Sequence, residues 1–290
     1  LWRLELQNRF RKLKKVGQES ILKIFKESKK YNLKIERYEY KAFDINHLEQ
    51  FKKHFDDKIL GQKNVKDALS RGLYKTAKGY NNKKPLTVLF YGPTGVGKTE
   101  TAKFIAEIIG QELFRKQFSM YQNNSFSDYL FGASHTSSSF AKDLLDRHSN
   151  VILLDEFDKA NNLFYSAFYQ LFDEGIYSDR NYEVHLENGL IICTSNFLSV
   201  AHIKEVLGEP IYNRFDLVVE FSELSKEISE KIIQNRYATT VNILDSSDRR
   251  IIDEFGKLER LMEYAQHLKN VRAIDKFIDE YIFQTILNHL

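Results

Sequence analysis

The sequence predicts an α/β fold in which a five-stranded parallel sheet is flanked by helices and followed by an all-helical segment. Two apolar runs, 86–91 and 151–154, have the length of buried strands, and each leads directly into a polar motif. Strand and helix patterns alternate up to about residue 222, whereas only helical periodicity follows. We therefore expect three parts: a basic helical N-terminal arm at 1–45, the α/β domain at 46–222 and a small helical lid at 223–290.

The net charge of the 290-residue chain is only +3, which indicates no particular partner. Residues 1–41, however, hold thirteen lysines and arginines against five glutamates. The single cysteine, Cys193, excludes an intrachain disulfide and fits a reducing compartment. No apolar run is long enough to cross a membrane, so we expect a cytoplasmic protein without membrane contact. Leu1 in place of an initiator methionine leaves open that the chain is a fragment.

The N-terminal arm has the spacing of an amphipathic helix over residues 2–30, and 31–43 alternates like a short strand or loop. Its apolar positions are Leu6, Phe10, Leu13, Ile21, Ile24 and Phe25. One interpretation of the basic face is a contact for nucleic acid or an acidic partner. The other, which the pattern favours, is a solvated helix face that packs on its own domain.

Residues 47–80 have a helical pattern that is interrupted at 60–62. Ile59 and Leu60 precede the α/β domain and either line an adenine pocket or belong to the core. Their spacing does not decide between the two.

The segment from Gly92 to Thr99 matches G-x-x-x-x-G-K-[ST], the loop that binds nucleotide phosphates. A predicted strand precedes it and a predicted helix, 100–109, follows it, as such a loop requires. Its glycines allow backbone N–H groups to approach phosphate oxygens, and the N-terminal end of the helix favours the same anion. Lys98 supplies a positive charge for the β- and γ-phosphates, and the Thr99 hydroxyl is a candidate Mg²⁺ ligand.

A second strand is predicted at 113–118 and is followed by a polar stretch, 122–139, that contains a serine-rich run. Such a run is typical of an exposed loop.

The stretch from Val151 to Glu156 consists of four apolar residues followed by two carboxylates. It predicts a buried parallel strand whose carboxyl end opens into a ligand crevice. There Asp155 would hold Mg²⁺, and Glu156 would accept a proton from the attacking water.

Two more buried strands are predicted at 189–196 and 217–221. The first ends at Asn196, which is either a ligand of the γ-phosphate or attacking water, or an ordinary turn residue. Amphipathic helices are predicted at 225–237 and 271–287.

With these motifs in place, residues 46–290 resemble the AAA+ ATPases, and most closely the second ATPase module of the Clp unfoldases and disaggregases. The order and spacing of seven segments are similar to those of that family. These segments are 59–62, 92–99, 130–133, 154–160, 194–196, 213–216 and 271–273.

The resemblance implies ATP and Mg²⁺ as cofactors and assigns further roles. Asn196 would be the sensor-1 residue and Arg272 the sensor-2 residue. Arg214 would be an arginine finger that reaches the neighbouring subunit's nucleotide, which implies a homo-oligomeric ring, usually a hexamer. The nucleotide-binding residues that we expect are Ile59, Leu60, Gly92, Pro93, Thr94, Gly95, Val96, Gly97, Lys98, Thr99 and Glu100.

The chain departs from the Clp pattern at the pore loop. Clp modules have Gly-Ala-Pro-Pro-Gly-Tyr-Val-Gly, whose tyrosine grips the translocated polypeptide, whereas residues 132–139 place Ser137 at the tyrosine position. A hydroxymethyl group does not pack against a peptide as an aromatic ring does. We do not expect Phe140 to substitute for the tyrosine.

The resemblance leads to two hypotheses. The first is a ring-forming ATPase that remodels a protein client. The second is an ATP-gated switch that threads no polypeptide and acts with nucleic acid or a second effector protein in transposition, replication or defence. An inactive scaffold is disfavoured, because every expected hydrolytic position holds a suitable residue type.

Overall fold

The computed structural model describes residues 2–8, 11–17, 33–37, 40–120, 125–134, 137–160, 162–264 and 267–290. The N-terminal part forms three strands, β1 (Trp2–Asn8), β2 (Arg11–Gly17) and β3 (Leu33–Arg37), in an antiparallel sheet of order β2-β1-β3.

The helix predicted for residues 2–30 is therefore wrong over β1 and β2. Trp2, Leu4 and Leu6 recur at every second residue, which is the period of a strand and not of a helix. The remaining predicted helical positions, 9–10 and 18–30, lie outside the described residues.

Two helices, α1 (Ile45–Lys58) and α2 (Lys63–Ala77), precede the main sheet. The Asp44 carboxylate accepts a hydrogen bond from the backbone N–H of His47 and thereby caps α1. The chain turns between the helices at Gly61, whose φ of +77° lies in the left-handed region that favours glycine. The interruption predicted at 60–62 is confirmed.

Strands and helices then alternate, as predicted. The elements are β4 (Leu86–Tyr91), α3 (Lys98–Ile109), β5 (Phe114–Gln117), α4 (Ser125–Phe131), α5 (Phe140–Leu145), β6 (Val151–Asp155), α6 (Tyr169–Glu174), β7 (Ile176–Ser178), β8 (Glu183–His185), β9 (Leu190–Thr194), α7 (Val200–Leu207), α8 (Glu209–Tyr212) and β10 (Leu217–Glu220). Five of the strands form a parallel sheet of order β10-β4-β9-β6-β5, and β7 pairs with β8 in a separate hairpin.

Both faces of the five-stranded sheet are buried, which explains the continuous apolar runs of its central strands. Val88 and Phe90 of β4 belong to one hydrophobic cluster, together with residues of α1, α2 and α3. Leu89 and Tyr91 belong to another, which is rich in phenylalanine and includes residues of α5 and α6. Successive side chains of a strand point to opposite faces, so a sheet between two helical layers requires apolar residues at every position.

In the described residues after β10 the regular elements are helices: α9 (Lys226–Ile243), α10 (Ser246–Phe255), α11 (Leu258–Met262) and α12 (Val271–Leu287). They enclose a third hydrophobic cluster, to which α12 contributes Ile274, Ile278, Ile282 and Ile286 at helical spacing. Within the described residues, no helix has both the length and the apolar character needed to cross a bilayer.

Candidate functional site

A cleft of about 600 Å³ opens at the carboxyl ends of the central strands and is closed on its far side by α9 and α12. In parallel α/β sheets this edge is where ligands bind. Most of the predicted site residues line the cleft: Ile59, Leu60, Thr94, Gly95, Val96, Gly97, Lys98, Thr99, Glu100, Asp155, Glu156, Asn196 and Arg272. The structure thus brings together residues that are more than 200 positions apart in the chain.

The loop between β4 and α3 requires its glycines. Gly92 has a φ of +130°, and a Cβ there would lie 2.1 Å from the Phe221 carbonyl oxygen at the end of β10. Gly95 and Gly97 also have positive φ, +72° and +107°. The glycines therefore serve both the tight course of the loop and its packing on the neighbouring strand.

Lys98 is buried at the first position of α3 and is folded back onto its own loop. Its Nζ donates hydrogen bonds of 2.6 Å to the carbonyl oxygens of Gly92 and Pro93 and of 3.3 Å to Asn196 Oδ1. Burial lowers the pKa of Lys98 to about 8, against the opposing effect of Asp158 and Asp155. An anion beside this ammonium would raise its pKa again, because the anion stabilises the charged form.

Asp155 is the buried last residue of β6, and its two carboxylate oxygens have different partners. Oδ2 accepts a 2.9 Å hydrogen bond from Arg115 Nε, and Oδ1 accepts one from the Thr194 hydroxyl. The Thr99 hydroxyl lies 3.5 Å from the same Oδ1. The Asp155 carboxylate and the Thr99 hydroxyl of the phosphate loop are both hard oxygen donors. Such a pair fits the way proteins bind Mg²⁺ together with a nucleotide.

Glu156 adopts a left-handed backbone conformation with a φ of +55°, which is uncommon for a residue other than glycine. Its backbone N–H donates a 2.9 Å hydrogen bond to the Thr194 hydroxyl, and its Oε2 accepts one of 3.0 Å from the Gln117 side chain. Hydrogen bonds from Ser119 and Gln117 lower the pKa of the Glu156 carboxyl. The carboxylate is therefore ionised at neutral pH, as a proton acceptor must be.

The C-terminal helices reach the phosphate loop through the start of α12. The backbone N–H of Val271 donates a 2.8 Å hydrogen bond to the Gly95 carbonyl, and the Asn270 side chain caps α12 by accepting from the Ala273 N–H. Arg272 lies in the first turn of this helix and lines the cleft, close enough to Lys98 for its charge to oppose protonation of that lysine.

Arg214 does not line the cleft of its own chain. Its side chain lies beyond α8, where Nε donates a 2.8 Å hydrogen bond to Asp173 Oδ2 and Nη1 donates one of 2.6 Å to the Pro210 carbonyl. The guanidinium carbon Cζ also lies over the Tyr169 ring, 4.0 Å from its centroid.

In the described part of the serine-rich run, Ala133, Ser134 and Ser138 are exposed, as predicted, and Ser137 is half-buried, whereas Gly132 and Ser139 are buried. The predicted positions His135 and Thr136 lie outside the described residues. Phe140 is completely buried in the phenylalanine-rich cluster. It is therefore unavailable to replace the missing tyrosine, as we expected.

Sequence reasoning missed several residues that contact the predicted ones. Arg115 and Gln117 on β5 reach Asp155 and Glu156 because β5 pairs with β6, and Gln117 lies opposite Asp155 in the register. Thr194 links both carboxylate residues. Buried Gln62 connects the phosphate loop with the end of β10 through Val96 and Ser222. The sequence offered two signals for these residues. Polar residues, Gln117 and Thr194, end β5 and β9, and Gln62 lies in the segment 59–62 that resembles the AAA+ family.

The sheet order, the phosphate loop and the acidic pair define a P-loop nucleotide-binding protein of the AAA+ ATPase class. The profile of the family "AAA domain (Cdc48 subfamily)" matches residues 83–255, and the chain belongs to this family.

Its relatives include the ClpL ATP-binding subunits of the ATP-dependent Clp protease from Staphylococcus aureus strains bovine RF122 / ET3-1 and MRSA252. Each is 26% identical to the chain over 283 residues, which cover 86% of the chain and 40% of the relative. The fold is also that of Hsp104 in a closed-state cryo-EM reconstruction with ATPγS and FITC-casein, with a TM-score of 0.69 and 20% identity over 84% of this chain and 48% of the other. The chain thus spans about two fifths of the length of the ClpL relatives.

Proposed function

We propose that the protein binds and hydrolyses ATP in a Mg²⁺-dependent reaction, as a Clp-like ring, and uses the energy to remodel a protein client. The observation that carries the proposal is the convergence of Lys98, Asp155, Glu156, Asn196 and Arg272 on one cleft. The Clp and Hsp104 relatives support a protein client, since the Hsp104 reconstruction includes both ATPγS and casein.

Each residue has a role that follows from its position. The loop N–H groups and Lys98 hold the phosphates, and Ile59 and Leu60 border the adenine end of the cleft. Thr99 and Asp155 would hold Mg²⁺, which would supply positive charge to neutralise the phosphates. Glu156 removes a proton from the attacking water, and Asn196 orients that water or the γ-phosphate.

Arginines from two subunits complete the proposed site. Arg272 closes over the γ-phosphate from α12. Arg214, which points away from its own cleft, stabilises the transferring phosphoryl group in the adjacent subunit of a ring, most simply a hexamer. In this proposal the helices after residue 222 act as a lid on the α/β domain.

The proposal is tested with Glu156→Gln, which keeps the size of the side chain and one acceptor oxygen but removes the base. We expect nucleotide binding close to that of the parent and almost no phosphate release. Equal hydrolysis by the variant and the parent would refute the assigned mechanism.

A second function, a switch that threads no polypeptide, is favoured by the serine-rich loop and the burial of Phe140. It would act with a second effector protein, or with nucleic acid through residues 1–41. Electron microscopy of the protein with a slowly hydrolysed ATP analogue distinguishes the two functions, since only a threading ring holds polypeptide in its channel. A salt-dependent nucleic-acid shift that survives deletion of residues 1–41 would exclude the arm as the contact.

A further inference from the structure

We infer that Asp173 is a positioning residue for Arg214 and fixes the guanidinium that the protein presents to a neighbouring copy. This inference rests on the proposed function, because it assigns Asp173 a role in hydrolysis by the neighbour and not in the cleft of its own chain.

The contacts of Arg214 restrict its side chain on three sides. Nε donates to Asp173 at 2.8 Å, Nη1 donates to the Pro210 carbonyl at 2.6 Å, and Cζ lies over the Tyr169 ring, 4.0 Å from its centroid. Within the described part of the chain, Nη2 makes no hydrogen bond. The Nη2 edge of the guanidinium is therefore available to an anion outside the chain. The planar arrangement of guanidinium N–H donors matches the oxygens of a phosphate group.

Without these contacts the Arg214 side chain would not keep one orientation. Its side chain is 27% exposed, and a long side chain on a surface normally samples several rotamers. Asp173 is the only charged partner among these contacts, and a charge-assisted hydrogen bond is stronger than a neutral one. Loss of the Asp173 carboxylate should therefore release the guanidinium more than loss of any other single contact.

The backbone on both sides of the pair is held firmly. The Thr87 hydroxyl at the start of β4 donates a 2.8 Å hydrogen bond to the Arg214 carbonyl. Phe172 precedes Asp173 and Phe215 follows Arg214, and their buried rings are 5.4 Å apart. Phe157, which follows Glu156, lies within 6.4 Å of both rings.

These three rings place Glu156, Asp173 and Arg214 on one packed aromatic unit. The arginine offered to a neighbour is thus supported by the same cluster that supports the chain's own proton acceptor. Close-packed aromatic side chains resist independent movement of the residues attached to them.

The first test compares Asp173→Ala with Glu174→Ala. Glu174 is the adjacent acidic residue of α6 and bonds only to Gln170 in the described structure, so it is a matched control. We expect Arg214→Ala to lower ATP turnover on the order of a thousandfold, and Asp173→Ala to lower it by roughly tenfold or more while the melting temperature stays unchanged. Glu174→Ala should retain the turnover of the parent. Equal turnover of the two variants would overturn the inference.

The second test separates an effect on the neighbour from an effect on the chain itself. Asp173→Ala keeps Glu156 but misplaces its arginine, whereas Glu156→Gln cannot hydrolyse ATP but presents an intact Arg214. Mixed assemblies should therefore hydrolyse ATP faster than either variant alone, as should mixtures of Arg214→Ala with Glu156→Gln.

The mixtures also distinguish failure of the inference about Asp173 from failure of the proposed function. If mixing restores Arg214→Ala but not Asp173→Ala, the inference about Asp173 is wrong and the proposed function stands. If Glu156→Gln alone is as active as the parent, the proposed function fails and the inference falls with it. A double variant, Asp173→Ala with Arg214→Ala, should hydrolyse ATP no more slowly than Arg214→Ala. The two changes remove the same interaction, so their effects should not add.

Discussion

The backbone N–H of Val271 donates a 2.8 Å hydrogen bond to the carbonyl oxygen of Gly95, so the first turn of α12 rests directly on the phosphate loop. A Cβ at Gly95 would lie 3.1 Å from Asn270 Oδ1, the atom that caps the same helix. The position of Arg272 is therefore coupled to the conformation of the loop that would hold the phosphates.

We expect Gly95→Ala to lower nucleotide affinity, an effect beyond its cost in unfolding free energy. Gly79→Ala is the matched control, because Gly79 has nearly the same φ, +70° against +72°, but a Cβ added there would meet no atom within 4 Å. Each variant should lose about 1 kcal/mol of unfolding free energy, which is the cost of a left-handed alanine. Only Gly95→Ala should lose nucleotide affinity, measured by titration calorimetry. Equal affinities of the two variants would contradict the coupling.

Nucleotide affinity should fall as the pH rises above about 8. The ammonium of Lys98 has a pKa of about 8 because it is buried, and bound phosphate would raise that pKa by pairing with the charged form. Binding must then take up a proton, so affinity is full below pH 8 and declines by at most about tenfold for each pH unit above it. Calorimetry in buffers of different ionisation enthalpy measures the proton uptake. The control, Lys98→Ala, should bind nucleotide weakly, with an affinity that does not change with pH through this group. A constant affinity of the parent from pH 7.5 to 9.5 would contradict the prediction.

Arg115→Leu should have opposite effects on nucleotide and on metal. The arginine adds a positive charge to the cleft and occupies Oδ2 of Asp155. Its loss should weaken the binding of metal-free ATP but lower the Mg²⁺ concentration needed for half-maximal binding of the Mg–ATP complex, because the Asp155 carboxylate is freed. Fluorescence titrations with and without Mg²⁺ test both effects. Arg236→Leu, at the other end of the cleft, should not lower the Mg²⁺ requirement.

Asn196→Ala should leave nucleotide binding nearly unchanged and reduce kcat on the order of a hundredfold. The side chain contacts Lys98 at 3.3 Å, but Lys98 keeps its two carbonyl partners without it. A polar group that orients a reacting atom contributes mainly in the transition state, so kcat falls and the dissociation constant does not. Single-turnover kinetics with a direct binding measurement separate the two. A large loss of affinity with normal kcat would assign Asn196 to ground-state binding.

The sequence alone determined the five-stranded parallel sheet, the phosphate loop and the acidic pair. These features depend on local signals: buried parallel strands are continuously apolar, and a loop that wraps phosphate needs glycines at fixed spacing. Local signals failed at the N-terminal arm, where a helix was predicted over β1 and β2. Trp2, Leu4 and Leu6 instead pair with β2 and with β3, which lies in the segment 31–43 that was predicted to be a short strand or loop.

Only the tertiary structure decided which distant residues meet. Arg115 and Gln117 reach the acidic pair because β5 lies beside β6, and Asp173 reaches Arg214 because α6 packs beside the end of α8. Such contacts leave no periodic trace in the sequence, since they depend on the order of the strands and not on the residues between them. The local pattern thus specified the elements and the phosphate-binding chemistry, whereas the packing of the elements determined the partners of each charged side chain.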